Sequence, residues 1–406
     1  MNKTLRRWSW PHEWETNARL LAACLQPTPS SETQNKVRHW LSQEANWSYL
    51  MAVSERNRVR PLFYYGLQQL APDLIPSGIA TRLADYQRQI TLYNLFLTRS
   101  FVEIATNLTQ AGIRVLPYKG PALAYGVYRD WALRQYGDLD ILVPPDDVKQ
   151  AREILQQLGY QQTWPEKQLT PHQEQQHLKQ KYNFGFVHTS GLPEVELHWH
   201  VTPRYLNVPP HSQPLWAYAE PQKIAGQSVW GFPPPVLLLL LCVHGANHCW
   251  LRLSWLADVV ELLHQNPALD WDETLRLAQA WRSERILHIG LCLAQQLWDE
   301  DLPTAVSDAV ATDQVAHTLA QQSWLRLFSR RYRPFAPLEE PRYHWQMRES
   351  FTDRLRYSLT MAHPSAEDWA SISLPAPLYF LYYFIRPFRL SFQHGIKLME
   401  RSSANP

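Results

Sequence analysis

Through roughly the first hundred residues the apolar positions recur at helical spacing. The runs Ala18 to Leu25, Asn35 to Trp47, the block around Leu50 to Leu70, and Ala80 to Thr109 predict a helical lead-in that Gly112 closes. The pattern then changes. Strands are predicted near 113–118, 138–143, 182–188 and 194–201, where short apolar or alternating runs replace the longer period. Between them, Asp147 to Leu158 reads as a helix with Val148, Ala151, Ile154, Leu155 and Leu158 on one stripe, ended by Gly159. The polar stretch from Gln161 to Gln180, rich in Gln, His and Lys, reads as an extended loop or flap beside a cleft. From Pro233 onward the period is helical again over 236–264, 271–281 and 284–298, and the tail to 406 reads as helices with loops around Pro334 to Pro341 and Pro375 to Pro377. The predicted class is α+β: a small mixed sheet at 111–232 between helical regions at 1–110 and 233–406.

Within that sheet, Asp138 and Asp140 flank Leu139 and run into Ile141, Leu142 and Val143. Side chains two apart on a strand share a face. Two carboxylates placed so repel each other unless a cation bridges them, and hard oxygen ligands suit Mg²⁺. The alternative is a solvated turn. Upstream, the strand ending at Tyr118 meets a turn at Lys119-Gly120 and a helix starting at Pro121, a position that needs no amide hydrogen. A glycine turn before a helix N-terminus suits an anion, with Lys119 as a point charge and Arg134 as a planar fork.

The order of these parts resembles the nucleotidyltransferase fold of the polymerase-beta superfamily. The wider run resembles its uncharacterised bacterial, NTP-transferase-5-like branch. The matching blocks are Ala52-Val-Ser-Glu-Arg-Asn-Arg-Val-Arg-Pro-Leu62, Tyr118-Lys-Gly-Pro-Ala-Leu123, Gly137-Asp-Leu-Asp-Ile-Leu-Val143, Val195-Glu-Leu-His-Trp199, and the stretch from His244 to Asp258. The resemblance implies a third acid on a later strand, for which Glu196 is the candidate. It would complete a two-metal carboxylate set with Asp138 and Asp140, or act as base toward an acceptor hydroxyl. The implied reaction moves a nucleoside monophosphate from an NTP to an unidentified acceptor hydroxyl, small molecule or protein, with Mg²⁺ as cofactor and pyrophosphate released. Lys119 and Gly120 would cradle the triphosphate, with Arg134 stabilising its charge. The Arg134-to-Asp138 spacing resembles that of antibiotic adenylyltransferases. Gly120-Pro121 stands where the superfamily often has Gly-Ser or Gly-Gly, and proline cannot donate an N–H. That departure favours the alternative of a non-catalytic interaction or assembly protein, which the resemblance links to polysaccharide or peptide natural-product biosynthesis.

Around Glu196, alternation puts Val195, Leu197, Trp199 and Val201 on one face and Glu196, His198 and His200 on the other. His198 is a candidate for the cleft wall, against a partly exposed strand face. On one continuous helix, His244, His248, Arg252 and Trp255 would share a stripe about 80° wide, making them candidates for a second cleft wall that touches phosphate or stacks on a base. The alternative is a packed helix. Asp258, about 60° off the stripe's centre, would orient one of its groups. Cys242 and Cys249 point to a different side from His244 and His248, which argues against structural zinc.

Composition narrows the setting. A net charge of +2, with 19% charged residues over 406, gives no strong nucleic-acid signal. Four dispersed cysteines, a polar N-terminus and no apolar run near the roughly 20 residues of a membrane span fit a reduced, cytoplasmic chain. The aromatic segment Leu378 to Ile385, followed by Arg386, Arg389 and Lys397, could rest on an anionic membrane surface, but closure of a C-terminal core is the favoured reading.

Overall fold

The computed structural model describes residues 8, 10, 14–165, 169–206, 208–210, 215–298, 302–330, 335–336, 338–361, 363–372, 374–386 and 388–389. Five helices lead in: α1 Glu15–Ala23, α2 Ser31–Glu44, α3 Trp47–Arg56, α4 Arg60–Leu70 and the long α5 Ser77–Gln110. The predicted block at 50–70 is thus two helices. Between them Arg58 adopts φ +55, and Asn57 bonds Val53, Leu327 and the start of a later helix, fixing the corner.

The sheet follows. Its strands are β1 Leu116–Pro117, β2 Asp138–Leu142, β3 Tyr160–Trp164, β4 Asn183–His188 and β5 Glu194–His198, in the order β1-β2-β5-β4-β3. Only β2 and β5 pair in parallel; the other neighbours are antiparallel, so the sheet is mixed as predicted. Helices α6 Pro121–Gly126, α7 Val148–Gln157 and α8 Pro171–Gln180 lie between the strands. The stretch predicted as a loop at 161–180 therefore holds β3 and α8. Its polarity reflects an edge strand whose residues alternate with solvent, and a helix with the Thr170–Gln173 capping box at its start. A hairpin of β6 Glu220–Ile224 and β7 Gln227–Gly231, which the pattern does not announce, ties to the main chain before β1 through the Trp230 N–H and the Val115 carbonyl at 2.8 Å.

Alternation on the strands builds two cores. Leu139, Ile141, Val195, Leu197, Phe184 and Phe186 pack beneath the sheet with α5 and α7. The opposite face carries the acids, and beyond them Leu142 joins a larger core shared by α1–α4 and the helices that follow the hairpin. Those are α9 Pro234–Asn247, α10 Leu253–Gln265, α11 Trp271–Ala280, α12 Glu284–Trp298, α13 Thr304–Thr312 and α14 Gln314–Leu327, then α15 Glu339–Gln346, α16 Phe351–Met361 and α17 Ala366–Ser371. Among the described residues no helix is long and apolar enough to cross a membrane. In the aromatic segment Tyr382 is buried against Trp369, whereas Phe380 and Phe384 are exposed. Arg386 and Arg389 are both engaged by Asp368, at 2.7 and 2.6 Å.

Candidate functional site

Parallel pairing sets the centre of the site. The register places Asp140 opposite Glu196 and Leu142 opposite His198. Since Leu139 and Val195 face the core below, Asp138, Asp140, Glu196 and His198 all face one cleft above, of about 320 Å³. The expectation that Glu196 shares a face with the aspartates thus matches the observed geometry. His198, a candidate for the cleft wall, lines the cleft and is buried, so the alternative of a partly exposed strand face does not hold. Its Nε2 lies 3.0 Å from Asp140 Oδ1 and 3.1 Å from Glu196 Oε2, so one imidazole joins both carboxylates. The strand stops there. Val201, predicted on the apolar face, lines the cleft with Thr202 because β5 ends at His198 and the alternation ends with it.

Lys119 Nζ reaches Asp140 Oδ1 at 3.1 Å. Gly120 holds φ +52 and ψ −121, a conformation that an L side chain rarely adopts and that a glycine supplies without strain. The helix after it is short, and the Ala122 N–H is bonded to the Lys119 carbonyl at 3.0 Å. With Pro121 lacking an N–H, charge here comes from Lys119 more than from helix amides.

The three acids and the histidine do not behave alike. Burial raises the Asp138 carboxyl, and the neighbouring Asp140 charge raises it further. Burial would raise Asp140 too, but Lys119 and the His198 hydrogen bond override it and hold that carboxyl far below its usual range. Glu196 is lowered chiefly by its hydrogen bond to His198. Burial opposes a charge on His198, yet the two carboxylates win and raise it. Asn183 Nδ2 also donates to Glu196 Oε2 at 2.9 Å.

Arg134 is anchored rather than free. Its Nε and Nη2 grip Asp258 at 2.8 and 2.9 Å, Tyr128 donates to the same carboxylate at 3.0 Å, and all three are buried. Nη1 is left without a partner among the described residues, and Arg134 lines the cleft. Asp258 therefore orients Arg134, not a member of the histidine stripe.

The stripe itself is not on one helix. α9 ends at Asn247, Cys249 and Trp250 take φ +51 and +53, and α10 begins at Leu253. The cause is Trp250, fully buried against Gly245 and Gly290, where a Cβ on Gly245 would stand 2.6 Å from the indole. No proline or glycine marks the break in His248-Cys-Trp-Leu-Arg, which is why the period reads through it. The two helices still bring the residues together. The rings of His244 and His248 lie 4.8 Å apart, Trp255 is 5.4 and 5.0 Å from them, and Arg252 sits 5.4 Å from the Trp255 ring; all line the cleft. Burial, with Lys119 next, pushes His248 down to about 4 and holds His244 well below the usual histidine range.

The pattern alone does not single out Arg58, Tyr118, Tyr182 or Asn247, which also line the cleft. Arg58 had a signal in the basic run Arg56, Arg58, Arg60; the tyrosines had none apart from ordinary core aromatics.

Asp140, Glu196 and His198 offer ligand atoms within 4.8 Å of one another, a group able to hold a metal ion. Carboxylates from adjacent parallel strands facing a basic cleft are the arrangement expected of a nucleotidyltransferase fold. The chain belongs to the uncharacterised nucleotidyltransferase family, whose model matches residues 43–299 and so takes in all five blocks quoted above. Comparison with curated proteins and with solved structures finds no match.

Proposed function

We propose that the protein transfers a nucleoside monophosphate from an NTP to an acceptor hydroxyl, with Mg²⁺ held by Asp138, Asp140 and Glu196 in a two-metal arrangement. The observation that carries this reading is the pairing of Asp140 with Glu196 across β2 and β5, with Asp138 at the same mouth. The donor set fits: three carboxylates suit a hard divalent cation, and the His198 nitrogen bridging two of them keeps their oxygens converged. When bound, the cation supplies neutralisation of charge on the triphosphate and on the attacking oxygen.

The chain's own residues supply the rest. Lys119, Arg58, Arg252 and the open Nη1 of Arg134 give donors for phosphate oxygens, and the Trp255 face suits a base. The acceptor oxygen attacks the α-phosphorus, the bond to the pyrophosphate oxygen breaks, and the acceptor proton passes to Glu196 when that carboxylate serves as base in place of completing the metal set. Glu196 suits this because its side chain is 40% exposed, whereas Asp140 is enclosed. Catalysis of this kind is mainly alignment and charge stabilisation. The four free, buried cysteines suit the reducing cytoplasm, where we place the reaction.

One observation favours a second reading, a non-catalytic assembly protein on the same fold. The turn after Lys119 offers few free amides, as Pro121 has none and Ala122 bonds backward. Calorimetry with each NTP, with and without Mg²⁺, separates the two. Mg²⁺-dependent binding, followed by label transfer from α-labelled NTP to an acceptor, is the expected result; absence of Mg²⁺-dependent binding selects the second reading.

A further inference from the structure

A second cavity, of about 290 Å³, shares no lining residue with the cleft and lies between Leu206, Val208 and Pro210, the turn from α11 to α12, and the stretch from Met347 to Arg356. About half of its surface is apolar, with Leu206, Val208, Trp281 and Met347 all buried. Its charged lining is unbalanced. Among the described residues three guanidinium groups, Arg282, Arg348 and Arg356, line it with a single carboxylate, Asp353. That carboxylate is already shared by two of them, Arg356 at 2.9 Å and Arg282 at 3.4 Å.

The third, Arg348, is only 5% exposed. Its Nη2 donates to the Tyr205 carbonyl at 3.0 Å and its guanidinium lies 4.1 Å from the Tyr357 ring centroid. Nη1 has no partner among the described residues. Burial pushes the group down to about 10, as expected of a cation whose compensation is incomplete. A buried charge of this kind costs free energy unless something pairs with it.

We infer that this cavity is a second ligand site, for an organic phosphate monoester with an aromatic or aliphatic body. The surplus of two positive charges matches a phosphate monoester near neutral pH, which carries roughly −1.5 to −2. Guanidinium forks suit its oxygens. The apolar floor would take the ester's body, which inorganic phosphate lacks, so the site discriminates by that body as well as by charge.

The test is calorimetry on the full chain with phenyl phosphate, inorganic phosphate and benzoate, each with and without Mg²⁺ and a non-hydrolysable NTP analogue. Phenyl phosphate should bind saturably and about tenfold tighter than either of the other two, with no displacement by the nucleotide. The double variant Arg282→Ala, Arg356→Ala should weaken it by about tenfold, and Arg348→Met should abolish it. Arg348→Met removes an incompletely compensated buried charge, so it should stay folded by thermal denaturation. Should it not fold, the partly exposed pair Arg282 and Arg356 carries the test alone. Equal affinity for phenyl and inorganic phosphate, displacement by the nucleotide, unchanged affinity in the double variant, or no saturable binding would each overturn the assignment.

Discussion

Lys119 Nζ stands 3.1 Å from Asp140 Oδ1, pairing the residue expected to serve phosphate with one expected to serve metal. Asp140 is thus compensated by the chain itself, through Lys119 and His198, and a bound cation would have to take over that role. Asp138, whose carboxyl is raised by burial and by Asp140, is the acid left under repulsion.

The two aspartates should therefore part company on mutation. Asp138→Asn should leave the metal-free protein equally or slightly more stable, whereas Asp140→Asn strands Lys119 and should cost about 3 kcal/mol. Each should remove Mg²⁺-dependent NTP binding. Urea denaturation beside calorimetry checks both, and equal stability of the two variants would contradict the compensation described.

Arg134 invites a double-mutant cycle with Asp258. Either single change, Arg134→Met or Asp258→Leu, leaves a buried charge alone and should cost about 3–5 kcal/mol. The pair together should recover most of the stability while NTP affinity stays about tenfold lower, because the Nη1 donor has gone. Recovery of affinity along with stability would make Arg134 a strut only.

Gly245→Ala tests the break between α9 and α10. Its new methyl would strike the Trp250 indole, so a loss of about 1–3 kcal/mol is expected, together with weaker NTP binding as His248, Arg252 and Trp255 shift. A destabilised variant with unchanged affinity would detach the cleft wall from the seat of Trp250.

Acid sensitivity follows from buried histidines outside the acidic centre. Burial lowers His177 and His344 from 6.5 to about 4, against backbone hydrogen bonds that partly oppose it. Below pH 6.5 the unfolded chain takes up protons that the folded chain refuses, so stability is full above that pH and falls as pH drops toward 4. The slope is about 1.4 kcal/mol per unit for each such group, and it levels off below 4. His344→Gln keeps a donor for the Asn247 carbonyl and should flatten the fall between pH 6.5 and 4 in urea titrations. An unchanged slope would show that His344 does not contribute to it.

Much of the acidic centre was legible because strand alternation is a local rule. Asp138, Asp140 and Glu196 need only two short strands read in the right phase, and the family blocks fixed which strands. What the pattern hides is non-local. Nothing near His198 tells that it lies between two carboxylates, since that depends on the β2–β5 register. The break at Cys249 depends on an indole finding a glycine notch, and Arg134 found its partner Asp258 on a helix more than a hundred residues away. In the polar stretch at 161–180 a low apolar content concealed an edge strand and a capped helix, because neither needs a wide buried face.

Asn57 gives the cleft a constraint on its motion. Its side chain accepts the Leu253 N–H at 3.0 Å and donates to the Leu327 carbonyl at 3.0 Å, while its own carbonyl takes the Ser254 N–H at 3.2 Å. The next residue is Arg58 in the cleft, and the residue before Leu253 is Arg252 in the cleft. Two cations from opposite ends of the matched region are thus pinned to one amide. A rearrangement that carried Arg252 away from Arg58 would break these bonds in a buried place, so separating the two arginines costs more than a motion that carries both together.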